Sequence, residues 1–456
     1  MRLWLTVFLV AVLAVLVVLN SRDAGLRQRG IFATDPPSPY FHFSPGGSER
    51  QKVLVVHGLN ANKEVMNLLC LGLSDAGFDV YSMDLPGHGD SEIPFNAVIA
   101  RSAVKSALDS LGPDTLVIGH SLGATLVLDV ANDRPLPSVV LLSPAPTPLD
   151  QVRSDRILVL TGQFDLPRIP QFVPRIEDAA GTGDFRKETI PWSGHSAFAF
   201  RPQAIRTIVA WLGGNPSVVH TERRLVIAIL ELAILVAIPL VWLSREPAGS
   251  TVARWSLLLL GYIAASTAAF FVSAIVVVLR FLHLFATDYL ISFVFLAGMA
   301  LLPASLRKAP MKLANVYVGG LSALYVIAAA VFIVSEHVHL TVSDGRWWRF
   351  LVMTIALVPL SFSDEVFLRP IRPWWKAAGV MAITRIVIAA FVITGVMTTN
   401  RDDVFLVLVT HFVAALWVGV WIAGEWVWRS SRNPLASAGF SAIVLAWVFA
   451  SVFVLQ

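Results

Sequence analysis

Charge and cysteine are what this sequence has least of. Only 14% of its 456 residues are charged, against about 25% in soluble globular domains, while 56% are hydrophobic and the mean hydropathy is +0.69. That balance excludes a single water-soluble domain and an intrinsically disordered chain. The 35 Lys+Arg residues barely exceed the 31 Asp+Glu, so nothing concentrates positive charge for nucleic acid, and the isoelectric point of 9.3 does not mark a polyanion site. Cys70 is the one cysteine, which excludes an internal disulfide framework and any cysteine-based zinc cluster. An integral membrane protein remains.

The apolar residues are unevenly spread. Residues 3–19 carry no charge and approach the roughly 20 residues that cross a bilayer; no small-x-small cleavage site follows, so residues 1–21 read as an uncleaved anchor. Residues 22–39 are Pro-rich and read as linker. Residues 40–214 have the texture of a soluble domain. The runs KVLVVHG, FDVYSMD, DTLVIGH, SVVLLSP, RILVLTG and FRKETIP read as strands, and helix-length segments at 63–76, 95–111 and 122–132 lie between them. This alternation predicts a mainly parallel sheet covered on both faces.

Residues 215–456 hold about eight long apolar segments, at 225–243, 255–279, 289–306, 314–334, 350–363, 377–397, 404–428 and 435–455, predicting an all-α polytopic region without an evident repeat. Alternate loops carry Arg245, Arg254, Arg307, Lys308, Lys312, Arg369, Arg372, Lys376, Arg429 and Arg432; the opposite loops carry only Arg280, Arg346, Arg349 and Arg401. Positive charge stays in the cytoplasm, so the N-terminus is expected inside and residues 40–214 outside, in a multi-pass cell-membrane protein. Within the spans, Glu231, Arg385, His411 and Glu425 are costly in lipid; they read either as a transport or relay path, with Glu231 and Arg385 able to pair across helices, or as residues that face the bundle or snorkel near span ends.

The chemistry lies in residues 40–214. GHSLG, residues 119–123, is a G-x-S-x-G pentapeptide between a strand and a helix, which puts Ser121 on a sharp turn with Gly119 and Gly123 where side chains would collide. A serine hydroxyl needs a base, and the candidates are His42, His57, His88, His120 and His195. His195 follows the last strand, as the nucleophile–acid–histidine order requires. Asp165 follows the strand RILVLTG at the carboxyl end of the sheet, whereas Asp155 and Asp184 precede strands and face the wrong edge. The oxyanion needs two N–H donors, expected from Leu122 and from Leu59, where Gly58 lets the backbone turn close. His57 reads either as a strand-end residue or as a substrate contact. No metal or cofactor is expected.

Taken in order, HGLNAN, DLPGHGDS, GHSLGA, the TGQFD acid and the SGH histidine resemble the α/β-hydrolase superfamily, in its monoacylglycerol-lipase, lysophospholipase and serine-aminopeptidase-like branch. The resemblance implies Ser121, Asp165 and His195 as a triad with Leu59 and Leu122 as oxyanion donors. It covers residues 52–211 and does not extend to the apolar half. Members of that branch insert a cap after the strand corresponding to SVVLLSP, but only residues 145–155 are available here, too few for one. The expected function is a membrane-bound serine hydrolase cleaving carboxylic esters of lipid or other acylated substrates through an acyl-enzyme. The alternatives are an acyltransferase on the same triad, or a transporter or scaffold whose hydrolase fold only binds.

Overall fold

The computed structural model describes residues 2–24, 27–45, 50–181, 183–241, 255–334, 337–399 and 405–456. Three of the loop charges used for orientation, Arg245, Arg254 and Arg401, lie outside the described residues. The chain forms two compact units: residues 11–233 with 333–339 and 454–456, and residues 1–10, 234–332 and 340–453.

The first unit is built on one eight-stranded sheet of β1 (Arg27–Phe32), β2 (Ser38–Phe43), β3 (Lys52–Val56), β4 (Asp79–Met83), β5 (Leu116–His120), β6 (Val139–Leu142), β7 (Arg156–Phe164) and β8 (Asp184–Gly194), in the order β1-β2-β4-β3-β5-β6-β7-β8. From β4 to β8 the pairing is parallel; β2 runs antiparallel to both β1 and β4. Strands in such a sheet are buried on both faces, which is why they read as unbroken Val/Leu/Ile runs. Leu54 and Val56 enter one core with residues of α3 (Ala97–Leu111), α4 (Leu122–Asp133) and α5 (Arg168–Ala180). Val53 and Val55 enter the other with residues of α2 (Asn67–Asp75) and α6 (Pro202–Trp211). Burying each such side chain contributes about 1.5–3 kcal/mol.

Two strands differ from the sequence reading. Residues 22–39 were expected to be linker, yet β1 and the start of β2 lie there and form an antiparallel hairpin. The signal is weak because β1, RQRGIF, is an edge strand with three exposed positions and no apolar alternation. The first unit also reaches beyond residues 40–214. Leu455 donates to the Gly87 carbonyl at 3.0 Å and accepts from Phe95 N–H at 2.8 Å, while Val454 N–H donates to Asn60 Oδ1 at 3.2 Å.

The remaining helices are α1 (Arg2–Ala24), which precedes the sheet, and α7 (Thr221–Val241), α8 (Trp255–Ser273), α9 (Thr287–Lys308), α10 (Val316–Val334), α11 (Trp347–Phe367), α12 (Trp374–Thr398), α13 (Leu406–Ser431) and α14 (Pro434–Val452). Eight stretches among the described residues, in α1 and α8–α14, are long and apolar enough to cross a membrane. The segment expected at 350–363 continues to Phe367 because its carboxylates are paired. Arg385 pairs with Asp364, not with Glu231 as one sequence reading allows, and Tyr262 donates to Asp364 at 2.6 Å. Arg369 grips Glu365 through Nε and Nη2 at 2.7 and 2.6 Å and reaches Glu425 at 3.0 Å. Buried charges persist only when paired and hydrogen-bonded in this way. Arg369, in the turn between α11 and α12, is thus a loop residue whose side chain is buried.

Candidate active site

Strand β5 ends at His120 and α4 starts at Leu122, leaving Ser121 on the turn with φ 52° and ψ −112°. A non-glycine residue held there is strained, and its surroundings account for its persistence. Ser121 N–H donates to the Leu142 carbonyl at 2.8 Å, fixing the turn to β6. A Cβ at Gly119 would lie 2.6 Å from Ala124 Cα, and one at Gly123 would strike the Val56 and His57 carbonyls. Gly58 also has no room: its Cβ would sit 3.1 Å from Ser121 Cβ and 2.8 Å from His120 Nδ1. The loop after β3 is thus pressed against the serine.

His195 Nε2 lies 2.8 Å from Ser121 Oγ, and His195 Nδ1 lies 2.8 Å from Asp165 Oδ1. This is the geometry in which an imidazole takes the hydroxyl proton while the carboxylate holds the other nitrogen protonated. Asp165 Oδ1 also accepts from Leu166 N–H at 3.0 Å, and Oδ2 accepts from Gly162 N–H at 3.3 Å and from the Ser143 hydroxyl. Burial pushes the Asp165 carboxyl up, but the hydrogen bonds from His195 and Ser143 outweigh it and hold the group below the ordinary carboxylate range. Ser143 was not singled out from the sequence. It follows β6 in the left-handed region, φ 47°, and nothing in SVVLLSP marks its hydroxyl as the partner of an aspartate 22 residues on.

Leu122 is the first residue of α4, where an N–H has no acceptor within its helix. Leu59 follows Gly58 in a tight turn closed by Ala61 N–H to the Gly58 carbonyl at 3.1 Å, with Asn60 in the left-handed region at φ 54°. His57, open in the sequence, is a structural residue: its Nε2 accepts from Leu85 N–H at 3.0 Å and Nδ1 donates to the Gly58 carbonyl at 2.8 Å. Burial lowers its pKa and keeps it neutral. His120 Nε2 donates to the His195 carbonyl at 2.9 Å, and burial, with His195 beside it, pushes its pKa down to about 4.

The segment after β3 also carries a buried ion cluster. Lys63 Nζ contacts Asp84 at 2.5 Å, Asp90 at 2.7 Å and Glu64 at 3.1 Å, while Glu64 meets His339 at 3.4 Å. Burial pulls the Lys63 pKa down, but Asp84, Glu64 and Asp90 raise it further, so the ammonium is permanent. Glu64, Asp90 and His339 offer ligand atoms within 4.8 Å of one another, a spacing a metal could use. The Lys63 ammonium already supplies a cation there, and a divalent ion would have to sit beside it.

A family model described as the Alpha/beta hydrolase family matches residues 53–449, from β3 into α14. The chain belongs to the alpha/beta hydrolase family. Over 117 residues it is 31% identical to the magnesium-chelatase 30 kDa subunit of Rhodobacter capsulatus, a stretch covering 24% of this chain and 40% of that protein. The chain therefore spans well under half the length of that curated relative. Among solved structures, a CIB-like hydrolase from Thermoplasma acidophilum is similar at 19% identity, covering 41% of this chain and 97% of its own, with a TM-score of 0.36. A monoacylglycerol lipase from Paleococcus ferrophilus is similar at 21% identity over 42% of this chain and 99% of its own, with a TM-score of 0.33. The family membership fits the sheet order, the elbow and the Ser–His–Asp arrangement already described.

Proposed function

We propose that this alpha/beta hydrolase is a membrane-bound serine esterase acting on lipid or other acylated substrates. The observation that carries the reading is the continuous hydrogen-bonded line from Ser121 Oγ through both ring nitrogens of His195 to Asp165. His195 takes the Ser121 proton as Oγ attacks the ester carbonyl, and Asp165 stabilises the imidazolium. The amides of Leu59 and Leu122 receive the developing oxyanion. The proton then passes from His195 to the leaving alkoxide, giving a free alcohol and an acyl group on Ser121. Water, deprotonated by His195, attacks that acyl group and releases the acid.

An apolar substrate is favoured by the rim of the site. Phe164, next to Asp165, and Trp192, three residues before His195, are 61% and 76% exposed, with ring centroids 5.9 Å apart. Large apolar side chains left paired in solvent mark a contact surface. Eight membrane-length helices would hold the enzyme at its substrate, and the loop charges favour a hydrolase unit outside the cytoplasm.

The test compares lipid extracts incubated with purified full-length protein and with its Ser121→Ala form. The reading expects one class of ester to disappear, and free acid to accumulate, only with the unsubstituted protein. Equal consumption by both forms would sink it.

A further inference from the structure

The helical unit holds a buried cation whose hydrogen bonding is incomplete. Arg385 lies near the middle of α12 and is 3% exposed. Its Nη2 is engaged by Asp364 and lies 3.4 Å from Met381 Sδ, and its guanidinium carbon sits 4.7 Å over the ring of Trp417 on α13. Nε and Nη1 find no acceptor among the described residues, and neither does Trp417 Nε1, although Trp417 is also 3% exposed. A charged donor left unsatisfied in an apolar interior costs several kcal/mol.

Both side chains line one cleft between α9, α11, α12 and α13, walled by apolar residues such as Leu290, Val294, Ile388 and Val413. The cleft has about 320 Å³ of empty space counting its mouth, but its reachable interior is narrow, about 20 Å³, close to a single water-sized group. Three features define its occupant. Arg385 and Trp417 are donors only, so the occupant must present acceptors. Thr410, whose hydroxyl donates to the Leu406 carbonyl at 2.5 Å, is the one hydroxyl on the wall, so the hydrogens of a water would find few acceptors, whereas an ionised carboxylate brings acceptors alone to the two Arg385 nitrogens that Asp364 leaves free. The interior is too narrow for a phosphodiester headgroup, and the apolar walls suit a hydrocarbon tail.

We propose that this cleft is a binding site for the carboxylate head of a long-chain fatty acid, with Arg385 and Trp417 as the head-group donors and the facing surfaces of α9, α12 and α13 as the tail wall. The site does not depend on Ser121, and its failure would leave the esterase reading untouched.

The probe is a diazirine-bearing C16 fatty acid, photo-crosslinked to the purified full-length chain and mapped by mass spectrometry. Labelling is expected on α12 or α13 near Ile388 and Val413, competed at least tenfold better by palmitate than by hexadecanol. Ala414→Phe, which fills the cleft and leaves the Arg385–Asp364 pair in place, should reduce labelling at least tenfold. Arg385→Gln combined with Asp364→Asn, which removes the charge without orphaning its partner, should do the same. Ser121→Ala should label as the unsubstituted protein does. Equal competition by the alcohol, or full labelling in the folded Ala414→Phe protein, would overturn the assignment.

Discussion

His120 holds His195 by its backbone: the Nε2–H of His120 donates to the His195 carbonyl at 2.9 Å while the His195 ring faces Ser121 and Asp165. The residue beside Ser121 thus positions the imidazole that faces it.

Burial, with His195 beside it, favours the neutral form of His120. Unfolded, the imidazole takes a proton near 6.5; folded, only near 4. The unfolded state binds more protons between those values, so stability falls as pH drops from 6.5 towards 4 and is unaffected above that window. A tenfold difference in proton affinity between the two states is worth about 1.4 kcal/mol. In His120→Gln, which keeps an N–H donor without the titration, the acid limb of a melting-temperature-against-pH curve should flatten. An unchanged limb would contradict the assignment.

Gly123 tests the elbow. An alanine there drives Cβ into two strand carbonyls, so Gly123→Ala should strongly lower the melting temperature or the yield of folded protein. Gly379→Ala, in α12 with open space around it, should be neutral or stabilising by up to about 1 kcal/mol. Thermal unfolding of the two variants side by side reads the difference.

Much of this site is legible in the sequence because its determinants are local. Strands β3, β5, β6 and β7 are apolar runs bounded by Gly, Pro or Asp, and Ser121, Asp165 and His195 each follow a strand end on one edge. Partnerships between distant segments leave no such trace. Nothing local in DLPGHGD or HGLNAN indicates that Gly87 bonds to Leu455 or Asn60 to Val454. Asp364 and Glu365 make a span look short although they are neutralised by Arg385 and Arg369. Edge strand β1 is polar and lacks the alternation by which strands are read.

Lys63 ties the segment after β3 to Asp84 through both its backbone N–H and its ammonium. Lys63→Met leaves Asp84, which is fully buried, without its ammonium, and breaking such a pair costs about 3–5 kcal/mol. Adding Asp84→Asn should recover part of that loss. A double variant no more stable than Lys63→Met, measured by thermal unfolding, would mean that the pair is not the source of the cost.

Orientation is open to direct measurement. With Cys70 replaced by serine, a cysteine at Asp150 should react with an impermeant thiol reagent in intact cells, and one at Lys308 should not. Both positions are exposed on the chain. The reverse pattern would place the hydrolase unit in the cytoplasm.

The central claim is that Ser121 is a nucleophile activated by His195 and Asp165, and fluorophosphonate labelling of the full-length protein tests it most directly. Peptide mapping should find the adduct on Ser121, with the labelling rate reduced by several powers of ten in His195→Ala and strongly in Asp165→Ala. Members of such a unit are not additive, so His195→Ala and Asp165→Ala together should be little worse than His195→Ala alone. Folded protein that takes no label, or takes it at Ser121 at an unchanged rate without His195, would contradict the account.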